Sequence, residues 1–294
     1  MIYSFMIYYN QETRAGIPSE FIPLDNCVPE RNEIFEIEPI LRFIVESEIE
    51  NDSFYGFFSP KLFEKTGLCA DDIFPIDEKE FKHYDIISIS PYPISERWFK
   101  NPIHQGKQHG SFRWRFDCLV SETKISAFEL QEEFIYGTPN PKYFLYSHYF
   151  WAKGNFWKKW AENILKIFEK EMSDEIFRSV INADCVYKDH IQCNCLVFLL
   201  ERVAGFLAFS NKSTVVEYQL KKRILYDSKH RPSLPNYLAP IGIILYLSEI
   251  LFIGKSRFPS ISHALLRILS KYWGMLDLEL RKILRKPPPR SSKQ

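Results

Sequence analysis

Short apolar runs rich in aromatic and β-branched residues alternate with segments of helical period along the first 220 residues of this 294-residue chain. Strands separated by helices have one economical packing, a layered α/β sheet, so this alternation constrains the fold more than any other feature. Ile2–Tyr9, Ser53–Ser59 (SFYGFFS), Asp85–Ser90 (DIISIS), Tyr143–Ala152 (YFLYSHYFWA) and Val215–Tyr218 read as strands. Ile34, Ile37, Ile40, Leu41 and Ile44 recur at helical spacing and predict a helix over about 36–47, with Pro39 the dissenting residue. Asn155 is placed to cap a second helix with apolar positions Trp157, Trp160, Ile164 and Phe168, and a third spans Cys195–Phe209. Segment 11–33, with Gly16, Pro18, Pro23 and Pro29, reads as an ordered loop, and 61–67 as a turn. Residues 94–142 are less legible, with a short helix expected near 126–134. The α/β domain is expected to close near residue 236, after the linker 228–235. Residues 237–294 are expected to form a helical, basic extension ending in the Pro-rich PPPRSSKQ, and no internal repeat occurs.

Charge is balanced overall at +1 but not along the chain. Residues 30–80 carry 14 acidic against 5 basic side chains, and residues 254–294 carry 10 basic against 2 acidic. An acidic sheet region repels phosphate backbones, which argues against nucleic acid as a partner. The 25 Phe, 16 Tyr and 6 Trp can build a dense core or line a cleft that stacks on sugars. The six cysteines, 27, 69, 118, 185, 193 and 195, lack the spacing of a disulfide framework, so reduced thiols in the cytosol are expected. The N-terminal MIYSFMIYYN has no basic region and no cleavage site and reads as a strand instead of a signal peptide. The longest apolar run, Tyr237–Ile253, is broken by Pro240, Gly242 and Glu249 and is marginal as a membrane span.

Motifs narrow the chemistry mainly by exclusion. No Gly-x-Gly-x-x-Gly, P-loop or Gly-x-Ser-x-Gly occurs. ADCVYKDHIQCNC holds Cys185, His190, Cys193 and Cys195, but Cys-x-Cys is tighter than the usual zinc pair and no second pair follows. No Asp-x-Asp stands where a divalent ion would be held against a diphosphate, so no metal is expected. That leaves chemistry with no signature, and transferases that work by positioning, with a few basic donors and one carboxylate base, remain open.

Three blocks, IYYNQETRAGIPSEFIPLDN (7–26), FYGFFSPKLFEKTGL (54–68) and YSHYFWAKGNFWKKW (146–160), together resemble a family of glycosyltransferase-like proteins encoded in bacterial surface-polysaccharide clusters. VFLLERVAGFLAF (197–209) resembles the Phe-x-x-Glu-Arg helix of related capsular-polysaccharide proteins, and the likeness covers about residues 1–220. The resemblance implies a GT-A-like (Rossmann-like) fold, a mixed sheet flanked by helices with a nucleotide-sugar donor at the carboxyl ends of the first strands. It implies a glycosyltransferase with a glycan or lipid-linked glycan as acceptor. Where the family shows Asn, this chain has His148, which donates to a hydroxyl or phosphate as Asn does, or is a satisfied strand-end histidine.

Candidate site residues follow. Glu201 is the candidate base and Arg202 its neighbouring cation, or the two form an internal salt bridge. Lys153, between a strand and a helix, is positioned for a diphosphate, or is a solvated loop lysine. Ser59 and Lys61 end the second strand, and Asp25-Asn26 bind base, ribose or sugar, or make an Asx-turn. Tyr8 and Tyr9 alternate, so only one ring can face a nucleobase. In the tail, Leu265, Leu269, Trp273, Leu276 and Leu280 share a helical face interspersed with Arg and Lys, suited to the anionic inner face of the cytoplasmic membrane. The competing class is a non-catalytic subunit that keeps the fold and organises a polysaccharide assembly complex, which the missing Asp-x-Asp favours.

Overall fold

Strand β1 (Ile2–Tyr8) lies between β2 (Ile22–Asp25) and β3 (Phe54–Phe58) and runs parallel to both. The computed structural model describes residues 1–31, 34–74, 76–89, 102, 140–182, 184–187, 191–219, 222 and 223. With β4 (Ile86–Ser88), β5 (Phe150–Lys153) and β8 (Val215–Glu217) the sheet has six strands in the order β2-β1-β3-β5-β4-β8. β5 is antiparallel to both its neighbours, and β8 is parallel to β4. The chain is therefore α/β with a mixed sheet, as its alternation of elements dictates. A separate two-stranded hairpin, β6 (Asp184–Tyr187) and β7 (Ile191–Asn194), occupies the segment read as a His/Cys cluster.

Helices cover both faces. The eight in the described residues are α1 (Gln11–Ala15), α2 (Ile37–Glu46), α3 (Leu62–Thr66), α4 (Ala70–Ile73), α5 (Glu78–Phe81), α6 (Gly154–Ser173), α7 (Glu175–Ile181) and α8 (Cys195–Ser210). Alternation along the strands sends Phe5, Ile7, Tyr55, Phe57, Phe150 and Ala152 to one face, where α2, α6 and α8 pack. Met6, Phe54, Phe58, Tyr149 and Trp151 point the other way, onto Leu62, Ile73 and Phe81 of α3, α4 and α5. Much of the aromatic content is thus spent on packing: Phe150 stacks on Trp157 at 5.0 Å, and Phe57 meets the same indole edge-on at 4.9 Å. Gly56 matters in the sheet centre, because the Trp151 indole lies across it to donate from Nε1 to Ser4 Oγ on β1 at 2.9 Å.

Several local expectations change. Segment 11–33 is more than a loop: Asn10 and Thr13 form a reciprocal cap that starts α1, and Ile22–Asp25 joins the sheet as an edge strand, where Pro23 is tolerated. Residues 61–67 are a helical turn closed by Gly67 at φ 68°. Pro39 sits in the first turn of α2, where a backbone N–H has no helical partner to lose. The run Tyr143–Ala152 is strand only from Phe150, because Ser147 and His148 take φ of 56° and 55°. α6 begins at Gly154, with Lys153 and not Asn155 in the capping position.

Cys27 and Cys69 are free and exposed, but Cys195 is disulfide-bonded, which corrects the expectation of reduced thiols throughout. No helix among the described residues is long and apolar enough to cross a membrane. The helix expected near 126–134, the boundary near 236 and the extension 237–294 lie outside the described residues.

Candidate functional site

Three parallel strands end on one edge of the sheet, and that edge collects most of the polar residues singled out from the sequence. β1 delivers Tyr8 and Tyr9, β2 delivers Asp25 and Asn26, and β3 delivers Ser59. β5 starts from the same edge because it runs backwards, so Tyr149, just before it, reaches Ser59: the two hydroxyls form a short hydrogen bond, both residues buried. α8 brings Glu201 and Arg202. Its approach depends on Gly205, which lies against the Tyr143 carbonyl where a Cβ would collide with that oxygen.

At the β1–β2 end the groups are tightly committed. Asp25 Oδ1 accepts from the Cys27 N–H at 2.8 Å, the Asx-turn foreseen as its alternative role, and this bond holds the carboxyl below its usual range. Burial, then the Asp25 carboxylate beside it, raises the Tyr8 hydroxyl, and Arg14 stands over the Tyr8 ring at 5.5 Å. Asn26 is buried, takes the Tyr8 carbonyl through its backbone N–H at 2.9 Å and donates from Nδ2 to the Phe35 carbonyl at 3.4 Å. Its Oδ1 has no partner among the described residues, and neither does Glu38 Oε2 on α2. Arg42 connects these two positions, bonding Glu38 Oε1 at 3.3 Å and the Asp25 carbonyl at 2.7 Å.

At the β3–α8 end the groups are titratable. The Glu201 side chain is 27% exposed, and its Oε2 lies 3.5 Å from Arg202 Nη1. Burial raises its proton affinity, Arg202 opposes that rise, Glu36 adds to it and Lys65 opposes it again. Glu36 also borders the Tyr9 hydroxyl, which burial and that carboxylate push far above its ordinary value. Lys65 Nζ stands 5.3 Å from the Tyr149 ring centre. Lys61, exposed at the start of α3, is one helical turn before Lys65. Arg202 is buried; its Nη1 donates to the Phe198 carbonyl at 2.5 Å and its Nε to the Pro102 carbonyl at 3.2 Å. Its guanidinium therefore anchors α8 as well as pairing Glu201.

Two candidates fall elsewhere. Lys153 is at the carboxyl end of β5, opposite Phe54 at the start of β3, so the reversed strand puts it on the other edge of the sheet, about 16 Å from Ser59 at ~3.3 Å per residue. There it pairs with Asp85 Oδ1 at 3.2 Å. His148 precedes β5 at the right edge, but its ring turns to the α6 side, 5.5 Å from the Trp160 ring and 6.5 Å from Trp157. Burial lowers its pKa to about 4, which leaves it neutral near neutrality, and its Nε2 has no partner among the described residues.

Glu36, Lys65 and Tyr149 were not singled out from the sequence. The four-residue step from Lys61 to Lys65 and the two-residue step from Tyr149 to Trp151 are signals that would have found two of them. Glu36 had none, since it enters the site from the end of an irregular loop. The cluster offers a carboxyl with raised proton affinity, hydroxyls able to donate, and lysine cations, a set suited to general acid–base work beside an anionic group. No group of three or more His, Cys, Asp or Glu side chains able to hold a metal occurs among the described residues. Comparisons with known protein families, with curated proteins and with solved structures find no match to this chain.

Proposed function

We propose that this chain is a GT-A-like glycosyltransferase, moving a sugar from a nucleotide donor to a surface-polysaccharide or lipid-linked glycan acceptor. The observation that supports the reading is the convergence of three parallel strand ends with the half-buried Glu201 carboxyl at one edge. In this reading Glu201 takes the proton of an acceptor hydroxyl as its oxygen bonds to the anomeric carbon and the nucleoside diphosphate departs. Burial raises the proton affinity of that carboxyl, and Arg202 and Lys65 oppose the rise. Tyr8, Asp25, Asn26 and Ser59 line the donor end. Lys61 and Lys65 replace Lys153 as the cations for the leaving diphosphate, because Lys153 stands on the opposite edge. Attachment of residues 237–294 to the anionic inner face of the cytoplasmic membrane would bring the site to lipid-linked acceptors.

The test is a screen of nucleotide-sugars for thermal stabilisation, followed by transfer assays with the stabilising donors. A donor at 100 times its dissociation constant stabilises by about 2.7 kcal/mol. Stabilisation by no nucleotide-sugar and no nucleoside diphosphate refutes the reading. The anchoring of Arg202 on two backbone carbonyls favours a second reading, a non-catalytic subunit that keeps the fold. Glycan binding without turnover for any donor would select it.

A further inference from the structure

We propose that Arg31 and Glu171 are positioning residues for the donor end of the site: their ion pair fixes the loop 26–31, and with it Asn26, from the far end of α6. The consequence for donor binding rests on the glycosyl-transfer reading; the grip on the loop does not.

The loop leaves β2 at the edge of the sheet that carries the candidate site, and it is secured at two places. At its start the Asn26 N–H donates to the Tyr8 carbonyl at 2.9 Å, and the Cys27 N–H to Asp25 Oδ1 at 2.8 Å. Beyond that turn no backbone hydrogen bond holds Val28, Pro29 or Glu30 among the described residues, and Val28 is 86% exposed. Such a stretch belongs to the low-stability end of a fold unless side chains tie it down. Arg31 supplies the tie. Its Nη2 lies 3.0 Å from Glu171 Oε2 and 3.3 Å from Oε1, and its guanidinium carbon stands 4.2 Å from the centre of the Phe168 ring. Phe168 and Glu171 are three residues apart on α6 and share a face, so one guanidinium is stacked and paired at once.

Glu171 is itself held from several sides. It is buried, and Asn182, at the carboxyl end of α7, donates from Nδ2 to its Oε1 at 2.9 Å. Arg178 on α7 donates through Nε to the Glu171 carbonyl at 2.8 Å and closes the α6–α7 corner around it. Opening the pair would leave this carboxylate buried without its cation, a cost that an exposed pair does not carry. The grip therefore joins positions 140 residues apart in sequence, and Asn26 lies only five residues before Arg31. Asn26 Nδ2 donates to the Phe35 carbonyl at 3.4 Å, while its Oδ1, without a partner among the described residues, is the acceptor set for a hydroxyl or N–H of the donor. A loop released at Arg31 lets that oxygen move.

The full chain and its variants Arg31→Ala, Arg31→Lys, Glu171→Gln and Lys170→Ala are compared by hydrogen exchange, urea unfolding and titration with UDP-, GDP- and dTDP-sugars, with kcat measured for any donor that is turned over. Lys170, which pairs with Asp174 at 3.7 Å, is the control for a charge lost from the same turn of α6. In Arg31→Ala the amides of 27, 28, 30 and 31 are expected to exchange about tenfold faster or more, with those of β1 and β3 unchanged. The dissociation constant of the bound nucleotide-sugar should rise about tenfold while kcat changes by less than about twofold. Arg31→Lys keeps the charge but neither the fork nor the stack, and should recover only part of the affinity. Glu171→Gln keeps the shape without the charge; it should move exchange and affinity in the same direction and is read in place of Arg31→Ala if that variant does not fold. Lys170→Ala should move neither. Unchanged exchange over 27–31, or a lowered urea midpoint with donor affinity intact in the folded chain, overturns the proposal. Faster loop exchange in Arg31→Ala, when the unaltered chain binds no nucleotide-sugar, would leave the grip standing and remove the glycosyl-transfer reading.

Discussion

Replacing Gly56 by alanine tests whether the sheet centre is packed as described. Glycine in a strand interior costs about 0.5–1 kcal/mol relative to alanine, so conformational entropy alone makes the substitution stabilising. Packing reverses the sign. An added Cβ would lie 2.5 Å from Trp151 Cδ1, 2.6 Å from its Nε1 and 2.8 Å from Phe58 Cε2. Neither ring has room to retreat, since both are fully buried and Trp151 is held by its bond to Ser4. Overpacking of this kind costs about 1–3 kcal/mol. Displacing the indole adds about 1–3 kcal/mol more, as it leaves a buried donor and acceptor unpaired. The net expectation is a loss of about 2–4 kcal/mol, read as a lowered urea midpoint at unchanged slope. In a Trp151→Ala background the indole behind the two shortest contacts is gone and only the Phe58 contact remains, so the cost of Gly56→Ala should fall well below its wild-type value. A neutral or stabilising Gly56→Ala in the wild-type background would refute the placement of the indole over β3.

Glu201→Gln is expected to leave the fold intact and to abolish sugar transfer, because the amide keeps the shape but takes no proton; circular dichroism and a transfer assay check both halves. Lys153→Ala should leave donor affinity unchanged by calorimetry and cost less than about 1 kcal/mol in stability, since its partner Asp85 is 39% exposed. His148 has a folded pKa of about 4 against ~6.5 when unfolded, so the unfolded chain takes its proton first as pH falls. Stability present above pH ~6.5 is then lost between there and pH ~4, by up to about 3 kcal/mol, and His148→Asn, which tolerates the positive φ, should flatten that part of the pH–stability curve. Transfer activity, once a donor is found, is expected to survive EDTA; loss restored by added metal would show a metal site.

The elements with a strong period were legible in advance: β1, α2, β3, β4, α6, α8 and β8 fall where apolar spacing places them. β2 was not, because Ile22-Pro23-Leu24-Asp25 is short and interrupted by proline, and only pairing with β1 makes it a strand. The β6–β7 hairpin was hidden by its cysteines, which drew attention to ligand chemistry instead of alternation. Ser59 and Glu201 stand in the cluster where the strand ends converge, and both left marks in the sequence, one as a strand end and the other as half of a charged pair on an apolar helix. Lys153 was misplaced for a different reason. Strand direction is a property of pairing, and nothing within Phe150–Lys153 records that this strand runs backwards. The ring of His148 packs on the α6 side, the strand-end alternative weighed for it, and its left-handed backbone was announced by no residue pattern.

The place of β5 in the sheet also governs the order in which the chain can fold. β2, β1 and β3 are complete once residue 58 has been made, yet the neighbour that covers the other side of β3 begins only at residue 150. At roughly 5–20 residues per second, the interval between them lasts about 5–20 s during synthesis. Throughout it, Phe54–Phe58, five residues all buried in the finished protein, presents an unpaired apolar edge. The same strand that places Tyr149 beside Ser59 makes the nascent chain a client for whatever shields exposed strands until Phe150–Lys153 emerges.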